Sequence, residues 1–425
     1  MEAPIERDKT DIQRPQSRRL FERLEKLMPA GSTRSSTYFA PHPLALVRGQ
    51  GYRVWDADGN QFIDLSNNFT AFVHGHSHPA IVKAIRDQAL LGTEFGGIHE
   101  SQAELAERIQ GRFKCVEHVR FTTTGTEALT LAERIARAVT GRTDIVRPLG
   151  GFEGYWRAVP PDGRPRGIPD EVRQLEHRIP YNDIAALDQI VQERGHRIAA
   201  FLFEPVLGGG GVLPGDPAFF KRMREAASKI GALVVIDEVM TSRLAFGGYH
   251  TVLGITPDLV ILGKFIGGSL PIGVVAGRAD ALAIFDARQP RYIYNSSTFM
   301  GNPMAMRAGA VSMDLLTPLE IDRINRLGDR LARGLKQAMT TGGVVGCVTN
   351  VGSLVHIHLG RQTPPRDYSE VNLQHEALPM LHAAALEEGL LYARRGMLAV
   401  STPMDESAVD EAVRRFAVAA DRIAG

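Results

Sequence analysis

LVVIDEVMTSRLAFGGYHTVLGITPDLVILGK, residues 233–264, holds two short apolar runs built alike. Leu233-Val-Val-Ile236 ends in Asp237-Glu238, and Leu259-Val-Ile-Leu262 ends in Gly263-Lys264. Each run is bounded by turn residues, and each is too continuously apolar for a strand with one wet face. Such runs read as strands buried on both faces, which is the mark of a mostly parallel sheet covered by helices. Open α/β sheets bind ligands at the carboxyl ends of their strands. The charged residues of both runs therefore stand where a ligand would sit.

The pattern extends outward. Ala199–Phe203 and Ile272–Ala276 are runs of the same kind, and Val119–Thr122 is strand-like. Thr126–Thr140 reads as a helix with Leu131, Ile135 and Val139 on its inner face and Gly141 as its stop. Pro79 opens another helix, with Ile81, Ile85 and Ala89 on one face. Tyr52–Trp55 and Gln61–Asp64 read as a hairpin turning at Asp58-Gly59. Residues 1–18 read as a loose arm, followed by a helix over Leu20–Leu27 that stops at Pro29-Ala-Gly31. After Gly301 long helices appear at Met304–Leu316 and Asp322–Met339. Strands at Val344–Thr349, Leu354–His358 and Leu398–Ser401 are interspersed with helices at Ala377–Glu388 and Ala408–Ala424. The fold class expected is α/β. Residues 1–64 form an arm, helix and hairpin joining a smaller domain, 65–300 a large domain with the mostly parallel central sheet, and 301–425 the smaller α+β domain.

Composition agrees with a two-domain globular protein: 425 residues, 44% hydrophobic, 23% charged, net charge +1. Balanced charge argues against nucleic acid or a membrane surface as partner. No apolar run reaches the length of a membrane span, and the first 20 residues lack the apolar core of a secretory signal. The two cysteines, Cys115 and Cys347, do not make a disulfide framework, so a cytoplasmic location is expected.

Four features carry chemistry. Thr122-Thr-Thr-Gly125-Thr126-Glu127 leads from a strand into a helix, where backbone N–H groups form an anion site. Taken alone, the same residues more often mean an N-cap with a capping-box glutamate, since caps occur on most helices. Asp237 can pair with a protonated ring nitrogen or a metal, or serve as a cap. Lys264 is costly at a strand end unless paired or used covalently, and lysines so placed form Schiff bases with carbonyls. It is not a P-loop lysine, for the earlier glycine and the following Ser/Thr are absent. Its bland alternative is a lysine that snorkels to solvent. Glu204 follows a strand end and precedes Gly208-Gly-Gly-Gly211.

Together, in this order, these features resemble the class III (subgroup II) aminotransferases of fold type I, a family that includes glutamate-1-semialdehyde aminomutase. The resemblance runs from about Pro29 to Ser401. It rests on Asp56-Ala-Asp-Gly59, Ile63-Asp64, Gly75-His-Ser-His-Pro79, Thr124-Gly-Thr-Glu-Ala128, Ala138-Val-Thr-Gly-Arg142, Asp237-Glu-Val-Met-Thr241, Pro257-Asp-Leu259, Gly263-Lys-Phe-Ile-Gly-Gly268, Pro271-Ile-Gly273 and Ser297-Thr-Phe-Met-Gly-Asn-Pro303.

The resemblance implies pyridoxal 5'-phosphate as cofactor, and it implies roles. Lys264 matches the lysine that forms the Schiff base and then shuttles protons. Asp237 matches the carboxylate that keeps the ring nitrogen protonated, so that the ring acts as an electron sink. Val239 matches the residue on one ring face, and Phe152 takes the place of a stacked Tyr or Trp on the other. Thr124, Gly125 and Thr126 match the phosphate cradle, and Glu204 the glutamate on the cofactor's hydroxyl side. Thr298 matches a threonine that reaches the phosphate of the other subunit, which implies a homodimer. Two departures stand out: Phe152-Glu153-Gly154 replaces the usual Tyr-His-Gly, and Thr123-Thr124 replaces Asn-Ser. His74, His76 and His78 invite a metal-site reading, but the glycine-broken segment before Pro79 reads as a turn.

The resemblance places Arg34 near the family's substrate pocket and Arg395 in a small-domain segment where subgroup members often bind carboxylates, which implies a carboxylate substrate held bidentately by a guanidinium; the bland alternative is ordinary surface arginine. Gly31-Ser-Thr-Arg34, Asp237–Ala245 and Arg395-Gly-Met397 look closest to the β-amino acid aminotransferases. That branch implies a 3-amino acid, aromatic members included, exchanging its amino group with a 2-oxo acid such as 2-oxoglutarate or pyruvate. The alternatives are an aminomutase or racemase/epimerase using the same lysine, a non-catalytic binding protein that kept the fold, and a metal-dependent hydrolase built on the histidines.

Overall fold

Seven strands form the central sheet of this computed structural model, which describes residues 14–152, 154 and 167–424. Their spatial order is His118–Thr122, Gly273–Gly277, Leu259–Gly263, Leu233–Asp237, Ile198–Phe203, Asp144–Pro148 and Glu176–Ile179. Gly273–Gly277 runs antiparallel to both neighbours, and the remaining pairs are parallel. Every residue of the four strands from Gly273–Gly277 to Ile198–Phe203 is buried, as runs without alternation require. Register decides where the site lies. Asp237 sits opposite Ile261, Gly263 opposite Gly273, and Gly273 opposite Thr122. The Thr122, Gly263 and Asp237 ends therefore share one edge of the sheet. At the other edge, the Asp258 carboxylate accepts the Val234 N–H (2.7 Å) and so fastens the two site-bearing strands to each other.

The helix Gly125–Thr140 covers the sheet through Ala128, Leu131, Ala132 and Ile135, and Gly141 closes it in a left-handed cap. Val139, expected inward, is 42% exposed, because the last turn rides out of the apolar layer. In Pro79–Leu91 the inner face runs through Ile81, Ile85 and Gln88, and Ala89 turns to solvent.

The arm reading fails from residue 14 onward, while residues 1–13 lie outside the described residues. A helix starts at Pro15, not Leu20, and ends at Glu25. Asp58 in the hairpin turn is the reason. Its carboxylate accepts the Gln16 N–H (2.7 Å), the Ser17 N–H (3.0 Å) and the Ser17 hydroxyl (2.7 Å). A carboxylate on the open amides of a first turn is a stabilising partner.

The hairpin Arg53–Asp56/Gln61–Asp64 belongs to a four-stranded sheet that also holds Leu46–Gln50 and, in parallel, Leu390–Leu391. Gly346–Val351, Leu354–Leu359 and Met397–Ala399 form a separate antiparallel sheet. Pro318–Thr341, Ala377–Glu387 and Glu406–Ala424 are the long helices of this end of the chain. Pro303–Leu315 packs against Pro79–Leu91, Glu100–Arg112 and the turn Lys264–Gly267. No described helix is long and apolar enough to cross a membrane.

Candidate active site

Lys264 leaves its strand in a left-handed conformation (φ +57°), which a side-chain-bearing residue adopts only when its surroundings impose it. Buried Phe265 and Ile266 anchor the turn that follows. Lys264 itself is half-buried. Burial pushes its amine down to about 8, against the pull of the Asp237 and Glu204 carboxylates.

Asp237, also buried, ends the neighbouring strand. Its Oδ1 accepts the Val239 N–H (2.8 Å), and Oδ2 accepts no hydrogen bond from any described residue. Burial raises its carboxyl, opposed by the Val239 amide and the Lys264 ammonium. Glu204, one strand further, accepts the Phe152 N–H at Oε1 (2.8 Å) and the Gly208 N–H at Oε2 (3.2 Å). Burial, and next the charge of Asp237, raise it as well.

The helix start reconciles two readings that the sequence left open. Thr124 Oγ1 accepts the Glu127 N–H (3.2 Å), and Glu127 Oε2 accepts the N–H groups of Thr123 (2.6 Å) and Thr124 (3.2 Å). That is a capping box. It fixes the first turn and does not take the Gly125 N–H, which stays at the helix mouth as an anion donor. Glycines let the parts close on this point. A Cβ on Gly273 would run into the Thr124 carbonyl, and one on Gly154 would come within 2.8 Å of the Thr126 methyl. Val239 packs between the helix start and the lysine strand: a Cβ on Gly125 would lie 3.5 Å from it, and one on Gly263 3.6 Å.

The fold thus gathers Thr124, Gly125, Thr126, Phe152, Glu204, Asp237, Val239 and Lys264 at one sheet edge. Three expected residues are exposed. Thr298 is exposed, on a segment where Tyr292, Tyr294 and Phe299 also face solvent. Arg34 is exposed, and its Nη1 donates to Asn68 Oδ1 (2.7 Å). Arg395 is exposed on the turn Arg394–Gly396 and pairs with no described residue. Phe152 holds its backbone at Glu204 but leaves its side chain 52% exposed. Glu153 lies outside the described residues.

The histidines are held separately. His74 Nε2 meets the Ser312 carbonyl (2.9 Å), and His76 Nε2 meets Asp64 Oδ2 (2.7 Å). Among the described residues no three His, Cys, Asp or Glu side chains group to hold a metal.

Two buried contributors escaped the sequence reading. The Tyr181 hydroxyl donates to the Glu204 carbonyl (2.8 Å) and braces that strand end. Arg243 is fully buried, donates to Ser353 Oγ (3.2 Å) and the Val400 carbonyl, and adds to the depression of Lys264. An arginine six residues beyond Asp237 carries no periodic signal, and its partners lie more than a hundred positions away.

The site suits pyridoxal phosphate on structural grounds. It offers a depressed amine for a carbonyl, a buried carboxylate with one uncommitted oxygen for a cationic ring nitrogen, and a capped helix mouth for a phosphate. Comparison with known proteins agrees. The family described as "Aminotransferase class-III" matches residues 35–405. The chain is 36% identical to a beta-phenylalanine transaminase of Variovorax paradoxus, over 94% of this chain and 91% of that protein. It is 34% identical to a glutamate-1-semialdehyde 2,1-aminomutase of Sorangium cellulosum, over 89% of each. The crystal structure of an omega-transaminase from Sphaerobacter thermophilus superposes with a TM-score of 0.91 at 36% identity, covering 96% of this chain and 98% of that one. The chain belongs to the class III aminotransferases, enzymes of fold type I that work with pyridoxal 5'-phosphate.

Proposed function

We propose that this aminotransferase moves an amino group between a 3-amino acid, aromatic members included, and a 2-oxo acid such as 2-oxoglutarate or pyruvate. The observation that carries the reading is Arg34, whose guanidinium meets a neutral amide and no carboxylate among the described residues. Exposed Arg395 offers a second guanidinium, and the Variovorax relative supports the 3-amino acid class.

Pyridoxal phosphate, when bound, supplies the carbonyl that takes the amino group and the ring that accepts electrons. The chain supplies the rest. Lys264 Nζ would hold the cofactor and would carry a proton at the carbon that bears the amino group. Asp237 Oδ2 keeps a proton on the ring nitrogen, while Glu204 borders the hydroxyl side. Val239 and Phe152 would hold the ring between them. Gly125, with the hydroxyls of Thr124 and Thr126, holds the phosphate. Thr298 completes the phosphate site of a second copy in a homodimer. Leu90, Leu91 and Ile98, which are 83%, 74% and 98% exposed, and the tyrosines beside Thr298 give that copy an apolar face to cover.

The lowered amine makes a pH prediction. Only the neutral amine attacks a carbonyl, and Lys264 is neutral above about 8. Covalent capture of pyridoxal phosphate by the apoenzyme should climb about tenfold per pH unit below that value and flatten above it. A climb that continues to the ordinary lysine value of 10.5 would contradict the depressed amine.

The substrate class is tested by half-reactions. Holoenzyme is mixed with aliphatic and aromatic 3-amino acids without an oxo acid, and the yellow colour is followed. Bleaching with release of the 3-oxo acid, identified by mass spectrometry, is the expected result. No bleaching by any member would defeat the substrate assignment. A competing aminomutase reading, favoured by the Sorangium relative, predicts an isomer of the substrate and no oxo acid.

A further inference from the structure

Asn67, Asn68, Phe69 and Thr70 all stand in the left-handed region, with φ of +48°, +47°, +54° and +73°. None is glycine, so every one of the four is disfavoured by its own Cβ. The surroundings hold the turn in place. Asp64 Oδ1 accepts the N–H groups of Ser66 and Asn67 (2.9 Å each). The Asn67 side chain is buried and donates to the Ala399 carbonyl (2.5 Å). Phe69 packs against the apolar group of Val206, Leu244, Met397 and Ala399, which Met240, three residues after Asp237, also joins. Strain kept by this many contacts is a mark of a functional segment.

The output of the turn is a single side chain. Asn68, half-buried, presents Oδ1 to Arg34 Nη1 at 2.7 Å. Nε and Nη2 of Arg34 donate to no described residue, and no described carboxylate pairs with it. An amide at this place orients the guanidinium without neutralising it. An aspartate would take the fork that a substrate carboxylate needs. We infer that Asn68 is a positioning residue for substrate selection: the left-handed turn exists to hold its amide where it aims Arg34 at the carboxylate of the amino donor. The inference rests on the proposed role of Arg34.

The test compares Asn68→Gly, Asn68→Asp and Arg34→Gln in the holoenzyme. Glycine keeps the left-handed backbone and removes only the amide, and aspartate tolerates the same conformation. Circular dichroism confirms folding. Two readouts separate positioning from general damage. One is the ratio of kcat/KM for 3-amino-3-phenylpropanoate to that for 1-phenylethylamine, which lacks the carboxylate. The other is the Kd of 3-phenylpropanoate, a carboxylate without an amino group, by titration calorimetry. Asn68→Gly should lower the ratio and weaken the Kd about tenfold, as loss of a hydrogen bond to a charged group does. Asn68→Asp should lower the ratio further and raise the Kd further, because its carboxylate competes for Arg34. If Arg34→Gln lowers the ratio while both Asn68 variants leave ratio and Kd unchanged, the positioning role is wrong and the carboxylate role of Arg34 stands. If Arg34→Gln changes neither quantity, the role of Arg34 fails and the inference falls with it.

Discussion

Lys264→Ala should lose amino transfer by at least about 10⁴-fold while the protein stays folded, because the proposed mechanism gives one side chain both the holding of the cofactor and the movement of the proton. Neither function has a substitute nearby. Among the described residues the charged groups that act on Lys264 are Asp237, Glu204 and Arg243, and none of them is an amine that forms an imine. Folding should not suffer. A lysine whose amine is depressed from 10.5 to about 8 destabilises the folded state while protonated. That penalty is complete below pH 8 and fades as pH rises towards 10.5, so at neutral pH the apo alanine variant should unfold no lower than the apo parent. Steady-state assays and thermal unfolding check the two halves. Retained turnover at the parental rate would remove Lys264 from the mechanism, and a collapsed fold would show that its role is structural.

The second large effect belongs to Asp237. Asp237→Asn should bind cofactor yet lose about 10³-fold in kcat, with a smaller change in KM, as expected when a preorganised charge is removed from a closed site. The asparagine keeps an oxygen for the Val239 N–H, which Asp237 accepts at 2.8 Å, so the local turn survives and only charge changes. Burial disfavours the Asp237 anion until a cation faces Oδ2, and a protonated ring nitrogen is such a cation. In the proposed role the two charges would stabilise each other and would keep the ring an electron sink. Asp237→Ala adds loss of the Val239 contact and should be at least as damaging. Near-parental kcat in the asparagine variant would deny the charge its part.

How much of this was legible in the sequence depended on range. The strands ending in Asp237 and Lys264 declared themselves because a strand buried on both faces has a local signature, and the sheet register then brought the two ends together. The start of the Gly125 helix was equally local, and its two readings, cap and anion site, proved compatible. What stayed hidden was set by distant partners. The helix at Pro15 begins early because Asp58, across the hairpin, receives its first amides. Asn67–Thr70 holds a left-handed turn without a glycine; Asn tolerates that conformation singly, but Phe69 and Thr70 do not announce a run of four. Its supports are Asp64, Ala399 and an apolar group drawn from the whole chain. Arg243 is buried by Ser353 and Val400, which no pattern around position 243 reveals. Thr298, exposed in a single copy, acquires its proposed partner only in a second one.

The most direct test of the central claim is to reduce the purified holoenzyme with borohydride, digest it, and find the modified peptide by mass spectrometry. The account predicts a pyridoxyl-phosphate mass on Lys264 and on no other lysine. A mark on a different lysine, or no mark on an enzyme that transfers amino groups, would contradict it.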